Sequence, residues 1–169
     1  MIYQITGGTL TVKARSRVHD TTTVWNKITG EVDADPDTLP TAGAKATFTV
    51  DMTAFDAGDF LKNRKLRKDF AMDAHPTATF ELRSVRDVVR DGPTFTATAE
   101  GALTWRGKEV LVTLAGQGKL DGVGLEASGT FELDIRKLGL AAPRFLMIKM
   151  EDEVTIEVSI KGPIRSEPT

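Results

Sequence analysis

Apolar and polar side chains alternate with a period of two along most of this 169-residue chain. The longest example runs from Phe95 to Trp105, where odd positions are apolar or small and most even positions are threonine or glutamate. Successive side chains of a β-strand point to opposite faces, so the alternation predicts strands with one buried face. The other segments with this pattern span residues 10–14, 28–34, 46–50, 78–82, 110–114, 127–133 and 154–160.

Seven or eight such strands joined by short turns predict an all-β fold, an antiparallel up-and-down barrel. A long open sheet would leave unpaired edges, whereas a barrel of about eight strands closes them and can enclose one small ligand. The sequence contains no linker, internal repeat or low-complexity tract. We therefore expect residues 1–169 to form a single domain.

One short helix is predicted between Asp59 and Lys68. Asp59 suits the N-cap position, and the cations of this segment fall late, where they complement the helix dipole. Leu66 and Phe70 lie four residues apart and are expected to contact the barrel together. A second short turn is predicted over residues 137–140.

Composition excludes several classes of protein. The net charge of -2 does not favour a general nucleic-acid binder. The chain has no cysteine, which excludes disulfides and thiolate metal sites. The N-terminal segment lacks the pattern of a secretory signal, and no apolar run reaches the ~20 residues of a membrane-spanning helix. We expect a soluble protein, cytoplasmic as the sequence stands, or periplasmic if an N-terminal signal was removed.

Small residues recur on the predicted inner faces of the strands. They leave room for an apolar ligand, or they compensate for large phenylalanines and mark bulges. The residues concerned are Ala46, Ala97, Ala99, Gly101, Gly116, Ala127 and Gly129. If a cavity exists, the strand phase selects its lining, although a slip of one residue would reverse every face. The predicted ligand-binding residues are Val12, Phe48, Phe80, Leu82, Phe95, Leu103, Phe131 and Ile156.

The residues that could carry catalysis are few. His75 precedes Pro76 and is predicted to be structural. His19 and Asp20 suggest a His–Asp pair, but neighbours on a strand point to opposite faces. The GxSxG motif is absent, and two isolated histidines make a poor zinc site. We expect no catalytic residue, no metal and no cofactor, and His19 is the one candidate for an enzyme that acts on a small apolar substrate.

The cations of the predicted helix allow two interpretations. They form a solvated helix face, or they contact an anionic headgroup at the barrel mouth. The candidate headgroup residues are Arg64 and Arg67. Of the two tryptophans, Trp105 is predicted to plug a barrel end and Trp25 to border a rim.

Several short motifs along the chain resemble the YceI-like family in their order and spacing, from about Tyr3 to Ile160. They are Leu66 with Asp69-Phe70, His75-Pro76-Thr77-Ala78-Thr79-Phe80, Gly101-x-Leu103-Thr104-x-Arg106-Gly107, Val112-Thr113-Leu114, and Arg136 with Gly139-Leu140. The sequence departs from the family pattern at Asn63, Ala71, His75 and Leu82.

The resemblance implies a lipocalin-like barrel that carries a long-chain amphiphilic or apolar lipid. A polyisoprenoid, a quinone-like lipid or a fatty-acid derivative would be the partner, with no nucleic acid and no integral membrane segment. Members of the family are often dimers, so a homodimer is also expected. The departures from the family pattern leave the type of lipid open. The alternatives are a filled barrel that serves as a protein-interaction or stress-related module and, less favoured, an enzyme.

Overall fold

The computed structural model describes residues 1–35, 44–145 and 148–165, and most of these residues lie in antiparallel strands. The strands in chain order are β1 (Ile2–Ile5), β2 (Gly7–Ala14), β3 (Thr21–Trp25), β4 (Ile28–Asp33), β5 (Lys45–Asp51), β6 (Phe55–Asp56), β7 (Thr77–Asp91), β8 (Thr94–Trp105), β9 (Lys108–Leu120), β10 (Gly124–Asp134), β11 (Arg144–Phe145), β12 (Ile148–Lys149) and β13 (Glu153–Pro163). The helical elements are α1 (Phe60–Asp69) and a 3-10 turn (Ile135–Leu138).

Eleven of the strands form one sheet with the order β1-β4-β5-β7-β8-β9-β10-β13-β2-β3-β6. Its two ends are joined by the chain itself, because β1 and β2 form one strand interrupted only at Thr6. Between the pair Ile5–Gly30 and the pair Leu10–Trp25, both strands advance by the same number of residues. The segments β1–β2 and β3–β4 are therefore the two arms of one long hairpin.

The other edge of the N-terminal strand pairs with the last long strand, β13. The β2–β13 ladder includes the pair Val12–Ile156, and a bridge between Tyr3 and Ile164 continues it towards the N-terminus. The sheet thus closes on itself as an antiparallel up-and-down barrel, and the predicted all-β, lipocalin-like fold is confirmed. The strand number differs from the predicted seven or eight, because the sheet has eleven strands. Interruptions account for most of the difference, since the strands group into eight longer arms, which are β1–β2, β3–β4, β5, β7, β8, β9, β10 and β13.

Strand β7 is much longer than the alternating segment that the sequence shows. Two register shifts interrupt its pairing with β8, between Leu82 and Ser84 and between Arg86 and Val89. Each bulge inserts an extra residue and so changes which positions face inward. Up to Leu82 the side chains at even positions face inward, whereas after the first bulge the odd position Val85 does. The alternation of apolar and polar residues in the sequence is therefore interrupted after Leu82.

A tight turn at Arg106 and Gly107 joins β8 to β9. Arg106 and Gly107 have φ angles of 57° and 73°, and Trp105 pairs directly with Lys108. Positive φ at both central residues is the requirement of a type I′ hairpin turn. The glycine satisfies it without strain, and this turn fixes the register in which Trp105 faces inward.

Helix α1 lies one residue later than predicted at each end. The Asp59 carboxylate accepts a hydrogen bond from the Lys62 backbone N–H at 2.8 Å, so Asp59 is the N-cap. Leu66 is buried, and Phe70 packs against the same hydrophobic cluster, as the spacing predicts. The second turn begins two residues earlier than predicted. It spans residues 135–138 and ends where Gly139 adopts a φ of 75°.

Candidate functional site

The barrel interior contains a cavity of about 300 Å³. This volume lies at the lower end of the ~300–1,000 Å³ typical of small-molecule sites. Its lining is apolar apart from Thr79, Gln117 and Ser128, which border it. The cavity touches both hydrophobic clusters of the protein, one that includes Trp105 and one that includes Val32. It therefore extends from one end of the barrel towards the other.

All eight side chains that the strand phase selected line this cavity. They are Val12, Phe48, Phe80, Leu82, Phe95, Leu103, Phe131 and Ile156. The reason is visible in the register, since Phe48 pairs with Phe80 and Phe80 pairs with Leu103 across three adjacent strands. Residues paired directly across strands share a face. Their contact with a ligand remains a prediction.

The lining of the cavity extends along much of the barrel. Its lining on β10 runs from Leu125 to Leu133, which at ~3.3 Å per residue corresponds to ~26 Å of strand. A strand tilt of ~40° shortens this to ~20 Å along the barrel axis. On β8 the lining extends from Phe95 to Trp105. A lining of this extent is compatible with a chain-like molecule.

Some of the small residues on the inner faces line the cavity, and one of them compensates for a large phenylalanine. The ones that line the cavity are Ala46, Ala97, Ala99, Gly116, Ala127 and Gly129. At Gly101 the cavity hypothesis is wrong, because a Cβ there would lie 2.2 Å from Cζ of Phe80. The Phe80 ring occupies the space that this glycine leaves, so Gly101 is a packing residue.

The predicted ligand-binding residues did not include the lining residues that lie outside the long strands, although Phe70 was expected to contact the barrel. These residues are Met52, Phe70, Ile135, Leu138 and Leu140. They come from the segment before α1, from the end of α1 and from the 3-10 turn. The turn was recognisable from Gly139-Leu140, but the turn pattern does not indicate which of its side chains enter the barrel.

Both indole groups turn their polar atoms away from the cavity. Nε1 of Trp105 donates to the carbonyl of His75 at 2.8 Å, and Nε1 of Trp25 donates to the carbonyl of Met52 at 3.1 Å. The indole N–H groups are thus satisfied by backbone, and both residues line the cavity. Trp105 packs edge-to-face on Phe70 at one end of the cavity, and Trp25 is buried.

The opposite end of the interior is organised around Tyr3. This side chain is fully buried, and its hydroxyl donates to the carbonyl of Asp121 at 2.6 Å. Leu120 and Leu125 belong to the same cluster and line the cavity. The hydrogen bond ties the N-terminal strand to the β9–β10 turn and fixes this end of the barrel.

Asp134 holds the 3-10 turn in place against the cavity. Its carboxylate accepts from the backbone N–H of Arg136 at 3.0 Å and pairs with the Arg136 guanidinium at 2.7 Å. The hydrogen bonds from Arg136 lower the pKa of Asp134 to about 2. The turn places Ile135 and Leu138 in the cavity wall.

Neither candidate headgroup residue lines the cavity. Nη1 of Arg67 pairs with Asp73 at 2.9 Å, and Nη2 donates to the carbonyl of Thr53 at 3.1 Å. The Arg67 guanidinium also lies 5.2 Å from the centre of the Phe55 ring. Arg64 is exposed on the outer side of α1. Contact between either arginine and a headgroup remains a prediction.

The histidines lie away from the apolar interior. His19 is in the loop between β2 and β3, and its backbone N–H donates to Oγ of Ser16 at 3.0 Å. The expectation that His19 and Asp20 lie on a strand is therefore wrong, and His19 does not line the cavity. The backbone carbonyl of His75 accepts the hydrogen bond from Nε1 of Trp105, which is a structural contact. Within residues 1–35, 44–145 and 148–165, no three His, Asp or Glu side chains are grouped as a metal site.

In the part of the chain that the structure describes, no helix combines the length and apolar character needed to cross a membrane.

Known proteins similar to this chain share its fold. BcnA from Burkholderia cenocepacia is 22% identical, with a TM-score of 0.74 over 92% of this chain and 96% of that protein. A polyisoprenoid binding domain from Saccharophagus degradans, implicated in plant cell wall breakdown, is 13% identical, with a TM-score of 0.77 over 96% of this chain and 98% of that domain. The YceI protein of Campylobacter jejuni is 13% identical, with a TM-score of 0.69 over 90% of each chain. At these identities the similarity shows the fold alone.

The family assignment rests on sequence. No curated protein matches the chain. The pattern of the YceI-like domain, however, matches residues 3–162, which is nearly the whole chain. The protein belongs to the YceI-like family.

Proposed function

We propose that the protein binds and carries a long-chain amphiphilic or apolar lipid inside the barrel. A polyisoprenoid, a quinone-like lipid and a fatty-acid derivative all have the required shape. The observation that carries the proposal is the apolar cavity, whose lining on a single strand extends from Phe95 to Trp105. Membership of the YceI-like family and the likeness to a polyisoprenoid binding domain support it.

The affinity would come from desolvation of the lipid chain. Each methylene that leaves water contributes ~0.8 kcal/mol, so a long chain binds tightly without specific polar contacts. The indole N–H groups are already bonded to backbone, and they leave the cavity wall without free donors at Trp25 and Trp105. Selection among lipids would then depend on chain length in the barrel and on polar groups at its ends, where Arg64 and Arg67 remain the candidates.

The alternative of a filled interaction module requires a solid interior and a large exposed apolar patch. The cavity argues against the first requirement. The enzyme alternative requires a perturbed acid or base at the cavity, and its one candidate, His19, does not line it. Lipid carriage is the function that the geometry supports best.

Native mass spectrometry of freshly purified protein, followed by organic extraction, tests the proposal. We expect a stoichiometric lipid adduct whose extract identifies the lipid class. Ala97→Phe places a ring in the cavity and is expected to abolish the adduct. Thr96→Phe, one residue earlier on the exposed face of the same strand, is the matched control and should keep it.

The proposal fails if the purified wild type is free of lipid and also takes up no isoprenoid or fatty acid when these are added. It also fails if Ala97→Phe binds as much lipid as Thr96→Phe. In either case the interior is not the binding site.

A further inference from the structure

The exposed side of α1 combines apolar and cationic side chains. Helical residues four positions apart share a face. Phe60, Arg64 and Lys68 therefore form one row along the helix, and Leu61 and Lys65 form the adjacent row. We refer to these five residues as the α1 outer face. Leu66 lies on the opposite side of the helix, where it is buried against the barrel.

The two apolar side chains of the α1 outer face are largely exposed. Phe60 is 75% exposed and Leu61 is 73% exposed, and neither belongs to a hydrophobic cluster. Within the described ranges of the chain, no other two consecutive large apolar side chains are this exposed. Leu66 and Phe70 already attach the helix to the barrel. An exposed pair of this kind indicates an interaction surface.

The cations of the same face are largely free to meet an external anion. Lys65 pairs with Asp69 at 2.9 Å. Arg64 and Lys68 have no ion-pair partner among the residues that the structure describes. The face is thus locally positive, although the whole chain carries a net charge of -2.

The acidic side chains at the start of the helix are directed towards backbone amides. The carboxylate of Asp59 accepts from the Lys62 N–H at 2.8 Å, and that of Asp56 accepts from the Gly58 N–H at 2.9 Å. These bonds hold both carboxylates at the helix start, away from the Arg64–Lys68 row.

We propose that the α1 outer face docks on the surface of a bilayer that contains anionic lipids. Phe60 and Leu61 enter the boundary between headgroups and acyl chains, and Arg64 and Lys68 contact lipid phosphates. Peripheral membrane contacts combine apolar side chains that enter the interface with cations that attract anionic lipids. A second copy of the chain is disfavoured as the occupant, because a symmetric contact would bring like charges together.

This inference rests on the proposed function and adds the place where the lipid is exchanged. The inner side of α1 buries Leu66, and Phe70 at its end lines the cavity beside Trp105. Docking through the outer side would therefore hold this end of the cavity next to the membrane that supplies or receives the lipid.

Vesicle flotation tests the docking. We expect the wild type to float with vesicles of phosphatidylcholine and phosphatidylglycerol, to float less with phosphatidylcholine alone, and to lose binding as salt is raised. Phe60→Ser with Leu61→Ser should lower the partition coefficient by about tenfold or more. Arg64→Gln with Lys68→Gln should remove the preference for phosphatidylglycerol.

Matched controls come from exposed apolar residues elsewhere on the barrel. Leu111 is 73% exposed and Val123 is 77% exposed, so Leu111→Ser with Val123→Ser removes a comparable apolar area far from α1 in sequence. This control should float like the wild type. Thermal melting of each variant establishes that it is folded.

Equal binding to neutral and anionic vesicles, or wild-type flotation by Phe60→Ser with Leu61→Ser, would overturn the inference. So would a dimer in sedimentation velocity that becomes a monomer in this variant, because the face would then serve a second copy. Uptake of a dispersed lipid without vesicles separates the two proposals. Protein that takes up lipid but does not float refutes docking alone, and protein that floats but takes up no lipid refutes carriage alone.

Discussion

At the scale of single residues, the alternation along the strands shows which side chains face the interior, but it does not show how those side chains pack against each other. The inward phase of Phe48, Phe80 and Leu103 follows from the period of two, because paired residues on adjacent strands share a face. The role of Gly101 does not follow from the same pattern. Its space is filled by a ring from the neighbouring strand, and a single sequence does not show which side chain leans into which gap.

Gly101→Ala tests this packing directly. The added methyl would overlap the Phe80 ring, whose Cζ lies 2.2 Å from the ideal Cβ position. Overpacking of this kind costs ~1–3 kcal/mol, so we expect a lower midpoint of urea unfolding. Gly122→Ala is the control, because no heavy atom lies within 4 Å of its Cβ position. Equal midpoints for the two variants would show that the Phe80 ring moves aside freely.

At the scale of elements, the sequence predicts regular strands and caps better than interruptions. The N-cap Asp59 locates α1 within one residue, because capping depends on local chemistry. The second half of β7 is hidden by two bulges that change its inward phase. The 3-10 turn begins earlier than predicted because Asp134, at the end of a strand, also caps the turn. These features depend on contacts between strands and therefore leave little trace in the local sequence.

The ion pair of Asp134 predicts a dependence of stability on pH. The pKa of this carboxyl is lowered from 3.8 to about 2, so its stabilisation is complete above pH 3.8 and is lost as the pH falls through about 2. Asp134→Asn retains an N-cap oxygen but removes the charge. We expect its melting temperature to be lower than that of the wild type at pH 5, and the difference to shrink towards pH 2. The carboxylate is exposed and screened, so the effect should be small. A difference that is constant with pH would contradict the assignment.

At the scale of the whole molecule, one N-terminal strand closes the barrel and thereby completes the wall of the cavity. The β1–β2 strand pairs with β3–β4 on one side and with β13 on the other. The number of strands and the family motifs made this architecture predictable from sequence. The volume of the cavity could not be predicted, because a glycine on the inner face leaves space only where no neighbouring side chain fills it. The Phe80 ring fills that space at Gly101, whereas Gly116 lines the cavity.

The most direct test of the central claim is a binding series with fatty-acid derivatives of increasing chain length, measured by isothermal titration calorimetry. Burial of each methylene at ~0.8 kcal/mol predicts that Kd falls about fourfold per methylene. The fall should level off once the chain exceeds the ~20 Å interior, and Ala97→Phe should level off earlier or not bind. A Kd that is independent of chain length, or unaffected by Ala97→Phe, would contradict a chain-binding interior.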